Sequence, residues 1–238
     1  MKLLNAILNF FNPQQIKCVV CGVDVEKHEH GVCPKCKKAL PLNDHVCLKC
    51  GVDIRTMNDF CDMCGKNQLV FDEARSVCRY EGEAQKLVLR LKFSGQKYLS
   101  KPIAHMMAEV LQKQNWQFDA VTFIPSSDDT IKKRGYNQAQ LIANDICDII
   151  SAKAVDIAQK VKDLPPQEKM DYHGRFDNMK GAFKLKQKPP KSLLVIDDVK
   201  TTGATLNEFA KLVKKHGCQK VYCLTFASRV KQVPTSQL

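Results

Sequence analysis

Two stretches of this sequence hold residue types whose spacing could do chemistry. The first is rich in cysteine. Eight of the twelve cysteines fall in four Cys-x-x-Cys pairs: Cys18/Cys21, Cys33/Cys36, Cys47/Cys50 and Cys61/Cys64. Two sulfurs spaced this way in a tight turn can face one tetrahedral ion, which is zinc chemistry. Gly22, Gly51 and Gly65 follow three of the pairs, and glycine takes a knuckle turn most easily. Residues 18–36 and 47–64 repeat one pattern, Cys-x-x-Cys-Gly and then a second Cys-x-x-Cys, so two zinc ribbons in tandem are expected. Spacing favours sequential pairing, although the ten residues between Cys36 and Cys47 also allow a cross-braced arrangement. His28, His30 and His45 could substitute as ligands, but eight cysteines already suffice for two ions. Four such pairs exceed what a redox enzyme uses, and no export signal argues for disulfides. A segment with so few large apolar residues needs such staples to fold, so both zinc ions are read as structural.

The second stretch is Asp197-Asp198-Val199-Lys200-Thr201-Thr202-Gly203-Ala204-Thr205, directly after the apolar run Leu193–Ile196. Two carboxylates close a buried strand, and a threonine- and glycine-rich loop opens a helix. The N–H groups and hydroxyls of such a loop can wrap a phosphate monoester, aided by the positive end of the helix. The carboxylates are placed to accept hydrogen bonds from vicinal hydroxyls, directly or through a metal. A phosphate at one end and a diol at the other describe a ribose 5-phosphate.

The elements that must position these groups read as α/β. Residues 75–80 suit a strand, and Gly82–Phe93 a helix through Leu87, Val88 and Leu91. Ile103, Met106, Met107, Val110 and Leu111 recur with helical period. Val121–Ile124 and Val221–Phe226 read as strands, and Gln138–Ile150 and Leu206–His216 as helices. Alternation of this kind implies a largely parallel sheet flanked by helices, with ligands beyond the carboxyl ends of the strands. The expected domains are a short amphipathic N-terminal helix (1–14), a double zinc ribbon (15–70), an α/β domain (71–230) and a tail (231–238). Cys78, Cys147, Cys218 and Cys223 lie in regular apolar elements and are read as buried thiols. Trp116 and Phe118 are read as packing residues.

Composition sets outer bounds. The chain has 238 residues, 44% hydrophobic and 26% charged, which is too apolar for a disordered chain. Its apolar runs are too short to span a bilayer, so no stable membrane insertion and a cytoplasmic location are expected. Formal net charge is +12, with 28 basic and 18 acidic residues after residue 70. Such a balance favours anionic partners.

Leu194–Leu206 closely resembles the phosphoribosyl diphosphate (PRPP) signature of type I phosphoribosyltransferases. The resemblance implies that Asp197 and Asp198 hold the ribose, and that Lys200, Thr201, Thr202, Gly203, Ala204 and Thr205 hold the 5-phosphate side. A narrower resemblance covers nearly the whole chain. Cysteine ribbons, Leu91-Lys92-Phe93, Arg134-Gly135-Tyr136-Asn137-Gln138, Arg175 with Asn178, Gly181-Ala182-Phe183 and the PRPP loop follow in the order of the ComF family. That family is phosphoribosyltransferase-like and linked to competence, the uptake of transforming DNA. By this resemblance the turn after Ile124 (Pro125, Ser126), with Lys132, Lys133, Arg134, Asn137 and Gln138, is the diphosphate side. Residues 162–180, with Gln167 and Arg175, would form a lid over PRPP. The chain departs from the family pattern at Phe123, at Ser127, Asp128 and Asp129, and at Leu164.

Three functions follow as expectations. One is magnesium-dependent transfer from PRPP to a nitrogen nucleophile, for which no general base is evident. Another is a module binding single-stranded DNA with PRPP as ligand. The last is a zinc-ribbon scaffold for a helicase or DNA-uptake protein.

Overall fold

The computed structural model describes residues 16–54, 58–66, 69–162 and 179–229. The expected N-terminal helix, Leu164, Gln167, Arg175 and the tail lie outside them.

The chain divides between Leu40 and Pro41 into two compact units. In the first, strands β1 (Ile16–Lys17) and β2 (Asp24–Val25) pair antiparallel, and a short helix α1 (Pro34–Ala39) follows. The knuckle closes through Gly22 N–H to Cys18 O at 2.8 Å. Cys33 caps α1, its sulfur accepting from Cys36 N at 3.4 Å.

The second unit contains the other ribbon, with the short helix α2 (Asp62–Lys66), and the α/β sheet. Its knuckles repeat the first: Gly51 N donates to Cys47 O at 2.8 Å and Gly65 N to Cys61 O at 3.0 Å. The sheet has four strands, β3 (Glu73–Arg79), β4 (Ala120–Phe123), β7 (Ser192–Lys200) and β8 (Lys220–Ser228), ordered β3-β8-β7-β4 and all parallel. Leu193, Leu194, Val195 and Ile196 are fully buried, as a central strand covered on both faces requires. One face is covered by α4 (Ser100–Gln112) and α6 (Gln138–Ile150). The other packs on α7 (Ala204–Lys215), a hairpin of β5 (Ala158–Lys160) and β6 (Phe183–Leu185), and Cys47 and Cys50 of the second ribbon. Trp116 is a packing residue: it stacks on Tyr222 with ring centroids 5.0 Å apart, and its N–H reaches Glu73 at 3.1 Å.

Three features differ from expectation. Strand β7 does not close at the carboxylates but runs on through Lys200, because Asp197 pairs with Thr225, Val199 with Ala227 and Lys200 with Ser228. An additional helix, α5 (Asp128–Arg134), follows β4. Ser127 caps it, Asp128 and Asp129 fill its first turn, and Lys132, Lys133 and Arg134 its last, which matches the helix dipole at both ends. The departures at Ser127, Asp128 and Asp129 therefore build a helix start. The hairpin of β5 and β6 was also unforeseen.

The second ribbon is joined to the sheet by backbone. Arg79 N donates to Pro41 O at 2.8 Å, Asn43 N to Val77 O at 3.1 Å and Ala74 N to Lys49 O at 2.8 Å, all along the side of β3 away from β8. Gly51 sits at φ +64° with its Cα against this strand: a Cβ there would meet Ala74 O at 2.3 Å and Arg75 Cα at 2.6 Å. Both neighbours are backbone and cannot swing aside. Gly51→Ala is expected to destabilise the second unit by about 2 kcal/mol or more, measured by chemical unfolding of the metal-loaded chain.

Candidate functional site

The carboxyl ends of β7 and β4 carry the groups that the sequence singles out. Asp197 and Asp198 are 9% and 2% exposed, and alternation along β7 sends them to opposite faces of the sheet. Asp198 N donates to Asp197 Oδ1 at 2.9 Å. On the far side, Lys92 Nζ forms an ion pair with Asp198 Oδ2 at 2.6 Å. Burial alone would strip the charge from Lys92, but Asp198, and after it Asp197, hold its pKa above the usual lysine range. Burial, and then the charge of Asp198, push the Asp197 carboxyl well above the usual carboxylate range against the pull of Lys92. One cation thus answers two carboxyls, and Asp197 is held toward its protonated form.

Lys92 reaches this place because of helix α3 (Gly82–Phe93), whose apolar face is Ala84, Leu87, Val88 and Leu91. Lys92 stands one turn after Val88, on the edge of that buried stripe. A lysine on the apolar face of a helix that precedes two buried aspartates was the signal available in the sequence, and only the motif around it was noticed.

The phosphate loop follows β7 directly. Gly203 adopts φ +81°, a left-handed conformation that turns the chain into α7. Thr202 Oγ1 accepts from Ala204 N at 3.3 Å. Thr202, Gly203 and Ala204 are buried, whereas Thr201 and Thr205 keep partial access. Behind the loop is the second ribbon. The β position of Gly203 lies 3.9 Å from the ring of Phe71. Asn207 Oδ1, one turn into α7, accepts from Val70 N at 2.7 Å. Phe71 shares its core with Cys47, Cys50, Ala204 and Leu206. Lys200 is buried, and its charge acts on Cys50 and Cys223.

On the β4 side, Ile124 N donates to Ile196 O at 3.0 Å, which carries the pairing past the strand's end. Pro125 is buried and Ser126 partly accessible. Asn137 is buried and fully used: Nδ2 donates to Ile124 O at 2.9 Å and Oδ1 accepts from Ala139 N at 3.0 Å. It positions the turn and the start of α6. Arg134 donates to Gln138, and Tyr136 O–H donates to Leu91 O, tying this segment to the end of α3. Lys132 and Lys133 are exposed.

The cysteines form two sequential sets, Cys18/Cys21/Cys33/Cys36 and Cys47/Cys50/Cys61/Cys64, with the four sulfurs of each within 4.8 Å of one another. The cross-braced alternative is thereby excluded, and no histidine joins either set. Four sulfurs at this spacing fit a tetrahedral zinc ion. N–H groups point at them: Cys33 N donates to Cys18 Sγ at 3.4 Å. Burial raises the Cys18 thiol, but N–H donors from Cys21 and Cys33 win and bring it down to about 6, toward the thiolate that zinc needs. The four remaining cysteines are buried, and burial pushes Cys78 up to about 12 and Cys147 and Cys218 up to about 11.

A parallel sheet with an acidic pair on its central strand and a Thr-Thr-Gly loop leading into a helix defines a phosphoribosyltransferase-like fold. The phosphoribosyl transferase domain family model matches residues 97–236, and the double zinc ribbon domain model matches residues 7–65. The chain belongs to the phosphoribosyl transferase domain family, as a ComF-type member that also carries the double zinc ribbon. It is 27% identical over 225 residues to Competence protein F of Haemophilus influenzae, covering 90% of this chain and 96% of that one. It is 25% identical over 218 residues to Competence protein ComFC of Streptococcus pneumoniae, covering 91% and 90%. It is 23% identical over 216 residues to DNA utilization protein YhgH of Escherichia coli K12, covering 87% and 95%.

The charge arrangement sets a stability test. The pKa of Asp197 is higher in the folded than in the unfolded chain, so the folded state keeps a proton that the unfolded chain has released. Stability therefore falls as pH rises from the ordinary carboxylate range through the raised value. Asp197→Asn is expected to remove this slope and to raise the ligand-free melting temperature at the alkaline end. Lys92→Met is expected to cost about 3 kcal/mol, since it leaves a buried carboxylate unanswered. Thermal and urea unfolding across a pH series checks both.

Proposed function

We propose that the chain binds PRPP with magnesium and acts on single-stranded DNA during its uptake or processing. The observation that carries this is the joining, on one strand-loop-helix unit, of a buried acidic pair to a loop able to hold phosphate. Asp197 and Asp198 orient the ribose hydroxyls, and residues Thr201 to Thr205 anchor the 5-phosphate at the N-terminus of α7. Lys133, Arg134 and Gln138 stand on the diphosphate side. The magnesium arrives with PRPP and offsets the diphosphate charge. In transfer, the bond from C1 to the diphosphate oxygen breaks and a bond from C1 to a nitrogen nucleophile forms. The nitrogen then gives up its proton to solvent. Catalysis of this kind is mostly positioning and charge stabilisation.

The competence and DNA-utilization names of the relatives support a role with transforming DNA, and the net charge of +12 supports an anionic partner. A helicase or DNA-uptake protein is the fitting protein partner, with the ribbons as its docking surface. Among the described residues no helix is long and apolar enough to cross a membrane.

Calorimetric titration of PRPP with magnesium is the test. The wild type is expected to bind, and Asp197→Ala/Asp198→Ala to lose at least about ten-fold in affinity. No binding by the wild type would leave the ribbons and basic surface as the functional part. Diphosphate release on adding bases or single-stranded DNA would establish turnover. DNA affinity that does not fall with salt would remove the nucleic-acid reading.

A further inference from the structure

Phe93 is the last residue of α3 and is 71% exposed, the most exposed large apolar side chain among the described residues. Its backbone position is set by its neighbours. Its neighbour Lys92 is paired with Asp198, and the Leu91 carbonyl accepts from Tyr136. The Arg134 guanidinium stands over the ring, 5.2 Å from its centroid. An aromatic ring with a cation over it and most of its surface in solvent therefore sits next in sequence to the lysine that pairs with Asp198.

Its surroundings are basic. Of the five basic side chains from Lys86 to Lys101, Lys92 is paired with Asp198 and Lys86 with Glu83, which leaves Arg90, Lys97 and Lys101, and Lys132, Lys133 and Arg134 add to the rim. Such a rim repels a basic partner and attracts a phosphodiester. Aromatic rings set among cations are the platform on which bases of single strands stack.

We infer that the open face of Phe93 is a stacking platform for a nucleobase, completing an Arg134–Phe93–base sandwich beside the ribose end of the site. This rests on the reading of Asp197, Asp198 and the phosphate loop as a phosphoribosyl site. It gives that reading its second ligand: a base, free or at the end of a strand.

The test uses a short single-stranded DNA with 2-aminopurine at its end, whose fluorescence falls on stacking. It is run on the full zinc-loaded chain without PRPP. PRPP binding by the wild type is measured separately, so failure of the parent reading is distinguished from failure of this one. Wild type is expected to quench the probe. Phe93→Ala is expected to abolish the quenching and weaken binding about ten-fold, while Phe93→Tyr restores both. Unchanged melting of Phe93→Ala confirms that the loss is local, as its exposure requires. If free 2-aminopurine is quenched as well, the ligand is a free base; if only the strand is, it is a strand terminus. Equal quenching by wild type and Phe93→Ala overturns the proposal. So does an equal loss of affinity for a strand abasic at that end.

Discussion

Two carboxyl groups on the central strand of a parallel sheet, answered by a single lysine, set the terms for everything around them. Each would cost several kcal/mol if buried as an isolated charge. Asp197 avoids that cost by holding its proton, whereas Asp198 meets Lys92 at 2.6 Å. The arrangement fixes the end of α3, because Lys92 cannot leave without stranding Asp198. The end of α3 in turn holds Tyr136, which leads into the Asn137 cap of α6. A strand, two helices and a turn are thus tied together by one charge.

The phosphate loop depends on a different support. Its glycine turn rests against Phe71, and Asn207 holds the chain that enters from the second ribbon. That ribbon is a wall of the α/β core, because Cys47 and Cys50 are buried among residues of α7. With zinc bound by four thiolates the centre carries two net negative charges, and Lys200 at the base of the loop lies where it can offset them. The first ribbon, which closes its own knuckle and caps its own helix, forms a separate compact unit.

Much of this was legible in the residues themselves. Helices Gly82–Phe93 and Gln138–Ile150 were read to their ends, because strong apolar periodicity and clear terminators agree there. The acidic pair and phosphate loop were legible because few other uses place two carboxylates and a Thr-Thr-Gly turn at the end of an apolar strand. Helix α5 was not, since it buries no side chain and shows no apolar period; only Ser127 and its charge gradient mark it. The pairing of Lys92 with Asp198 spans more than a hundred residues, and a charge on an apolar stripe does not name its partner. The attachment of the second ribbon rests on backbone bonds from Pro41, Asn43 and Lys49 and on Arg75 and Arg79, which reach Leu48 O and Asp53; backbone groups leave no trace in residue type, and an arginine does not name its partner.

That attachment also bears on how the molecule stays dispersed. In a four-stranded parallel sheet, β3 and β4 are the edges, and an uncovered edge is a template for another chain. Strand β3 is seven residues long with three apolar residues, Ala74, Val77 and Cys78, and the segment from Pro41 to Lys49 bonds to the backbone of Ala74, Val77 and Arg79. The cysteines of that ribbon therefore guard a sticky edge as well as a metal. Loss of zinc, or oxidation of Cys61 and Cys64, would loosen the cover of that edge.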